Sequence, residues 1–215
     1  MSGSLRQVQA KLSTMISRRR SVRRYLQLPV NQAAIERMLV AATLAPSAHN
    51  RQPWRFAVVE DADLKDKLAK AMGQRLRADR LADGDKPKDI DGDIVRSYAR
   101  ITEAPVVILA CVDTSDMDAY PDDRRRTAEH LMAAQSTAMA VQNLLLAAQA
   151  EGFGACIMCA PLFCPDTVAD ALRLPNGWQA QMLVTIGVPA STGKTRPRLP
   201  LEKMVWRPDS SHMRP

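Results

Sequence analysis

The sequence predicts an α+β protein in which helices surround a mixed central β-sheet. Residues 105–112 form a continuous β-branched and apolar run, which is typical of a strand that is covered on both faces. Residues 124–150 carry the longest helical pattern of the chain, and it is apolar on more than one face. Helical and strand patterns alternate without strict β-α-β regularity, which favours the α+β class.

The other elements follow from apolar periodicity and from stop signals. Asn31 is a candidate helix cap and Pro46 a helix stop. Residues 78–93 are rich in Asp, Lys and Gly, and we expect a mobile loop there that could act as a lid. Helices are expected over 4–17, 31–45, 63–77 and 165–173, and strands over 55–60, 153–159 and 181–188.

Length and composition predict one compact domain over residues 1–215. The chain is 46% hydrophobic, which is enough for a substantial core, and it is short for two ordinary domains. We see no apolar run near the roughly 20 residues of a membrane helix and no secretion signal. Residues 1–35 contain Arg and Ser but no Asp or Glu, so a transit peptide is an alternative to the cytoplasmic location that we expect.

The formal charge of +7 is compatible with nucleic acid, an anionic cofactor or a solvated basic surface. Aromatic residues are few and are not interleaved with the basic ones, so no stacking platform for single strands is predicted. We therefore expect no nucleic-acid partner. Charge alone does not decide between an anionic cofactor and a solvated basic surface.

Four cysteines raise the question of a metal or iron-sulfur site. Cys111 and Cys156 lie inside strand-like runs, where a small buried thiol is common. Cys159 and Cys164 alone cannot supply four ligands. No metal site is predicted.

A crowded polar corner joins a helix end to a strand over residues 45–56. Its prolines restrict the backbone around Ser47 and Asn50, whose short side chains can direct hydrogen bonds at a flat polar ligand. The alternative is an ordinary helix-to-strand loop. His49 is not assigned a role, since a lone histidine in a loop is more often a surface or packing residue.

Four motifs in order make the chain resemble the FMN-dependent nitroreductase family. They are the arginine cluster 18–25, the corner 45–56, the glycine strand 152–158 and the basic segment 196–201. The resemblance implies a nitroreductase-like sandwich, FMN as cofactor, and a homodimer with shared active sites. The long helix 124–150 would pack across the dimer interface.

The resemblance also implies which residues hold FMN. The arginine motif and the basic segment would bind phosphate, because a guanidinium donates two parallel hydrogen bonds and stays charged. The corner would surround the ring, in the family sometimes from the partner subunit, and a main-chain N–H of the glycine strand would face flavin N5. The cofactor-binding residues are Arg19, Arg20, Ser21, Arg23, Pro46, Ser47, Ala48, Asn50, Met158, Cys159, Ala160, Arg196 and Arg198.

No catalytic side chain is expected, because FMN itself carries the chemistry. The resemblance implies transfer of hydride from NAD(P)H to a nitroaromatic, a quinone or another conjugated acceptor by a ping-pong mechanism. Residues 122–130, 152–163 and 174–178 look most like the reductase-like C-terminal domain of the γ-glutamyl ligase of deazaflavin coenzyme biosynthesis. A flavin- or deazaflavin-binding protein with little general reductase activity is therefore the alternative.

Overall fold

A computed structural model describes residues 3–207, with side chains from residue 7 onward. Its helices are α1 (Gly3–Arg18), α2 (Gln32–Thr43), α3 (Ala62–Ala82), α4 (Pro87–Thr102), α5 (Asp123–Ala150) and α6 (Pro165–Leu172). Its strands are β1 (Trp54–Val59), β2 (Val106–Asp113), β3 (Gly154–Met158) and β4 (Trp178–Gly187). Short 3₁₀ turns lie at Ala48–Asn50, Ala160–Phe163 and Leu201–Lys203.

The four strands form one sheet in the order β1-β2-β4-β3, and all three neighbouring pairs are antiparallel. The α+β class is confirmed. The sequence predicts a mixed sheet, whereas these strands pair only antiparallel. Within residues 3–207, parallel pairing is limited to one isolated bridge between Ser21 and Ala155. Sequence periodicity identifies strands, but it does not give the direction in which they pair.

Helices cover both faces of the sheet. Alternate residues of β2 enter two separate clusters, with Ile108 facing α2 and α5 and Leu109 facing α3 and α6. The strand is almost completely buried along its length, as its apolar run predicts. Cys111 and Cys156 are buried thiols in strands, also as predicted.

Helix α5 is the central helix of one layer. Its length and mean hydropathy are those of a membrane-spanning helix, which the sequence analysis did not predict. However, 44% of its apolar stretch is buried inside the protein. Its inner face packs on α2 and the sheet through residues such as Val141 and Leu144. Its outer face leaves Leu131 55% and Met139 41% exposed, so apolar surface remains uncovered in one chain.

The prediction of a mobile loop over residues 78–93 is wrong. Helix α3 runs to Ala82 and α4 begins at Pro87, a favourable first helical residue. The Asp and Arg side chains that suggested a solvated loop join the two helices instead, since Arg80 binds both Asp85 and Asp93 at 2.5 Å. The polar composition suggested a loop, although these residues form a helical hairpin in which Arg80 pairs with Asp85 and Asp93.

Candidate functional site

The arginine-rich segment after α1 is extended and lies along the edge of the sheet. The amide of Val22 donates to Ala155 in β3 at 3.0 Å, and the amide of Leu26 donates to Val188 at 2.9 Å. Buried Tyr25 donates its hydroxyl proton to the Val22 carbonyl at 2.6 Å, and it lies 2.8 Å from the Thr185 hydroxyl of β4. Backbone and side-chain bonds therefore fix where the arginines of this segment lie.

Two glycines allow the segment to approach so closely. A Cβ at Gly154 would lie 2.7 Å from the Cβ of Val22, and one at Gly187 would lie 3.0 Å from the Cβ of Tyr25. Such distances are shorter than van der Waals contact, so a larger residue would push the segment outward. Gly154 of the glycine strand therefore admits Val22 of the same chain, and the expected approach of a flat ligand to this strand stays a prediction.

The segment forms one wall of a cleft of about 850 Å³, here named the basic cleft. The opposite wall is the C-terminal basic segment, so residues far apart in the sequence meet. Seven cationic side chains line it: Arg19, Arg20, Arg23, Arg100, Lys194, Arg196 and Arg198.

No carboxylate lines the basic cleft among the described residues. None of the ion pairs found in residues 3–207 involves its seven cations. Clustered like charges repel one another, and a bound anion relieves that cost. Volume and charge both fit a phosphorylated small molecule.

The cations of the basic cleft are not equivalent. Arg20 donates to the carbonyls of Ser17 at 2.6 Å and Arg19 at 2.9 Å, so part of its guanidinium satisfies the C-terminal end of α1. Arg100 was missed by the sequence analysis, because it lies on α4, most of which follows the predicted loop. No local pattern in the sequence marks it, because it joins the cleft only through tertiary packing.

Cys156 connects the basic cleft to the end of β3. Burial raises the pKa of its thiol, and the nearby charges of Arg23, Arg100 and Arg19 act in the opposite direction. Met158 lies on the same face of the strand, roughly 7 Å further on. Met158 and Ala160 line an apolar cavity with Ile101, whereas Cys159 is exposed.

The corner has an unusual backbone. His49, Asn50 and Gln52 have φ values of 50°, 54° and 50°, in the left-handed region that side chains other than glycine rarely adopt. The Ser47 hydroxyl accepts the Gln52 amide at 3.0 Å, and the Ala48 amide donates to Ser136 of α5 at 3.4 Å. Such clustered strain is typical of functional sites and argues against an ordinary loop.

Within one chain, the corner does not meet the basic cleft. Pro46, Ser47, Ala48 and Asn50 are absent from the cleft lining. The corner contacts α5 near Ser136, whereas Arg19 lies near Gln149 at the end of that helix. At 1.5 Å per residue these two points are roughly 20 Å apart along α5.

The comparisons with known proteins agree with this architecture. A sheet between helical layers, with a cationic cleft at its edge, fits a protein that binds a phosphorylated small molecule. The model of the nitroreductase family matches residues 16–188. The chain belongs to the nitroreductase family, a class of oxidoreductases.

Relatives match over nearly the whole chain. An NADH dehydrogenase of Thermus thermophilus is 32% identical, over 96% of this chain and 100% of the relative. A 5,6-dimethylbenzimidazole synthase of Rhodospirillum rubrum is 28% identical, over 94% of this chain and 91% of the relative. A Desulfovibrio desulfuricans protein described as a nitroreductase, crystallised in complex with FMN, is 27% identical with a TM-score of 0.70, over 92% of this chain and 96% of that one.

Proposed function

We propose that the protein is an FMN-dependent oxidoreductase that passes hydride from NAD(P)H through flavin N5 to a conjugated acceptor such as a nitroaromatic or a quinone. The observation that carries the proposal is the basic cleft, where Arg19 and Arg198 from opposite ends of the chain line one anion site. The crystallised relative with FMN supports the choice of cofactor. When bound, FMN supplies hydride acceptance and donation at N5.

The residues of the basic cleft would hold the FMN phosphate. Arg23, Arg196 and Arg198 have no recorded ion-pair partner among the described residues and can donate paired hydrogen bonds to phosphate oxygens. We assign Arg19 to the N1 and C2 carbonyl edge of the ring, where positive charge favours the reduced form. Ser21 lies on the same segment, and its hydroxyl is a further donor.

Backbone groups at the end of β3 would face the reactive edge of the ring. Met158, Cys159 and Ala160 follow Cys156, whose thiol is near enough to Arg23 for its charge to oppose the rise in the thiol pKa. A main-chain N–H of this stretch would donate to N5. Met158 and Ala160 also line a cavity with apolar residues such as Ile101, which would shield that end of the site from water.

We propose that the corner acts on a neighbouring subunit. Pro46, Ser47, Ala48 and Asn50 lie too far from the basic cleft of their own chain to enclose one ligand with it. In a homodimer that pairs the exposed outer faces of α5, the corner of one subunit would complete the site of the other. This arrangement would account for a strained loop that lies away from the basic cleft of its own chain.

A specialised flavoprotein is the second candidate. The 5,6-dimethylbenzimidazole synthase relative, which is 28% identical to this chain, is named for a biosynthetic step. A flavin- or deazaflavin-binding protein linked to deazaflavin coenzyme biosynthesis would bind ligand and show little general reductase activity. The relatives described above lend no support to the deazaflavin link itself.

The decisive experiment is spectroscopic. Purified protein, reconstituted with FMN if necessary, should show flavin absorption and should bleach anaerobically on addition of NADH or NADPH. Reoxidation by a quinone or a nitroaromatic would support the reductase, and bound flavin without turnover would support the second candidate. Protein that cannot be loaded with FMN would refute both.

We also propose that residues 1–215 form one domain and that the enzyme acts in the cytoplasm.

A further inference from the structure

A second cleft lies on the other side of the arginine segment and has no role in the proposed function. Its volume is about 500 Å³. Its lining includes the apolar residues Val22, Leu145 and Phe153 and the cationic Arg18. Apolar and cationic side chains in one cleft suit a ligand that joins a flat ring to an anionic group.

The second cleft adjoins the basic cleft. Arg19, Arg20 and Thr195 line both of them. Gly193, with a φ of 74°, brings the C-terminal segment so close that a Cβ there would lie 3.1 Å from the Cβ of Arg20. A ligand long enough to cross this shared wall would contact both clefts.

The two clefts differ in the cationic side chains that line them. Seven cations already line the basic cleft, more than one phosphate monoester of about two negative charges needs. Arg18 adds a further guanidinium that lines the second cleft alone and forms none of the ion pairs found among the described residues. The pair of clefts therefore offers a second anion site beside the first.

The hydrogen-bonding groups of the second cleft indicate which class of ligand it would bind. Gln149 donates its amide to the Met15 carbonyl at 3.1 Å, which holds its side chain in place and leaves its amide oxygen to accept a bond. Thr192 adds a hydroxyl on the opposite side. An adenine ring has an amino group for such an acceptor and a flat apolar face for the apolar side chains, and arginine stacks on aromatic rings.

We propose that the second cleft binds the phosphorylated adenosine end of the hydride donor, so that the enzyme prefers NADPH to NADH. The inference rests on the proposed function, because it assigns the same donor to the same reaction. Arg18 would bind the 2′-phosphate, the group that distinguishes the two donors. Its role is binding and specificity, without participation in hydride transfer.

The test uses adenosine 2′-monophosphate as a probe of FMN-loaded protein in titration calorimetry. It should bind at least about tenfold more tightly than inorganic phosphate or adenosine 5′-monophosphate. Arg18→Ala should weaken its binding by about 10- to 100-fold and lower the ratio of kcat/KM for NADPH to that for NADH by a similar factor. FMN affinity and the KM for NADH should stay unchanged.

Arg24→Ala is the matched control, because Arg24 is an exposed arginine of the same segment that lines neither cleft. It should leave all four measurements unchanged. Equal binding of the two adenosine monophosphates, or an unchanged NADPH preference in Arg18→Ala, would overturn the inference while the FMN proposal stands. Failure to bind FMN at all would instead refute the proposed function.

Discussion

Individual side chains at this site divide into those that face the basic cleft and those that hold the backbone. Arg23 and Arg198 face the basic cleft, whereas Arg20 is partly committed to the end of α1. Tyr25 belongs wholly to the second group, since its hydroxyl reaches only backbone and Thr185. An arginine motif in a sequence does not show which of its residues face the cleft and which hold the backbone.

Arg19→Ala and Arg198→Ala test the residues that face the basic cleft. Each variant should weaken FMN binding by about 10- to 100-fold, because each removes charge-assisted hydrogen bonds to the ligand. Fluorescence titration of apoprotein with FMN measures the effect, and the far-UV circular dichroism spectrum should not change. Unaltered FMN affinity in both variants would show that the assignment of these arginines is wrong.

Tyr25→Phe tests the residues that hold the backbone. Burial raises the pKa of Tyr25, so the hydroxyl stays protonated and donates at any ordinary pH. Its loss leaves the buried Val22 carbonyl without this donor and should lower the free energy of unfolding by about 1–3 kcal/mol in urea titration. FMN binding to the folded protein should weaken as well. Thr43→Val, at an exposed helix end, should change neither quantity appreciably.

At the scale of elements, close approach between the arginine segment and β3 determines the cleft. Gly154→Ala would force Val22 away from the strand, with an expected loss of about 1–3 kcal/mol in the free energy of unfolding and weaker FMN binding. Gly92→Ala is the control, because its Cβ would meet only the flexible end of Arg96. Equal stability of the two variants would contradict the steric argument.

The α3–α4 hairpin gives a pH prediction. Hydrogen bonds from Arg80 and Arg96 lower the pKa of Asp93, so they stabilise the hairpin above the pKa of the unfolded carboxyl and are lost as pH falls through the lower, folded-state pKa. The protection factors of the amides in residues 77–96, which are corrected for the intrinsic pH dependence of exchange, should therefore fall below about pH 4. The pair is exposed, so the effect should be modest.

Arg80→Ala should accelerate the same amides at neutral pH, because Arg80 bridges the two helices. Arg75→Ala removes an ion pair to Asp79 within α3 alone and serves as its control. Similar exchange rates in both variants would show that the bridging pairs do not hold the hairpin together.

Most of the elements could be predicted from the sequence. The apolar run of β2 is a local signal, and the structure confirms the buried strand that it predicts. The arginine motif is also a local signal and lies in one cleft with the C-terminal basic segment, but its role in binding FMN stays a prediction. Helix α4 was missed because its polar residues are paired with α3, a relation that periodicity cannot show. Arg100 and the separation of the corner from the cleft depend on tertiary packing, so no local pattern contained them.

At the scale of the whole molecule, the separated corner and the apolar outer face of α5 both predict a dimer. Met139→Glu places a charge on that face and should convert the dimer to monomer in light-scattering measurements. FMN should then bind more weakly, since the corner of the partner is lost. Leu81→Glu, at a comparably exposed leucine on α3, should remain dimeric. A wild-type monomer that retains FMN tightly would refute the shared site.

The meeting of residues 19–23 with residues 194–198 has a consequence for biosynthesis. A nascent chain on the ribosome exposes its first cationic wall long before its second, so the prosthetic group can be captured firmly only after translation has passed residue 198. Trimming by a carboxypeptidase that reached this segment would leave a folded but colourless protein.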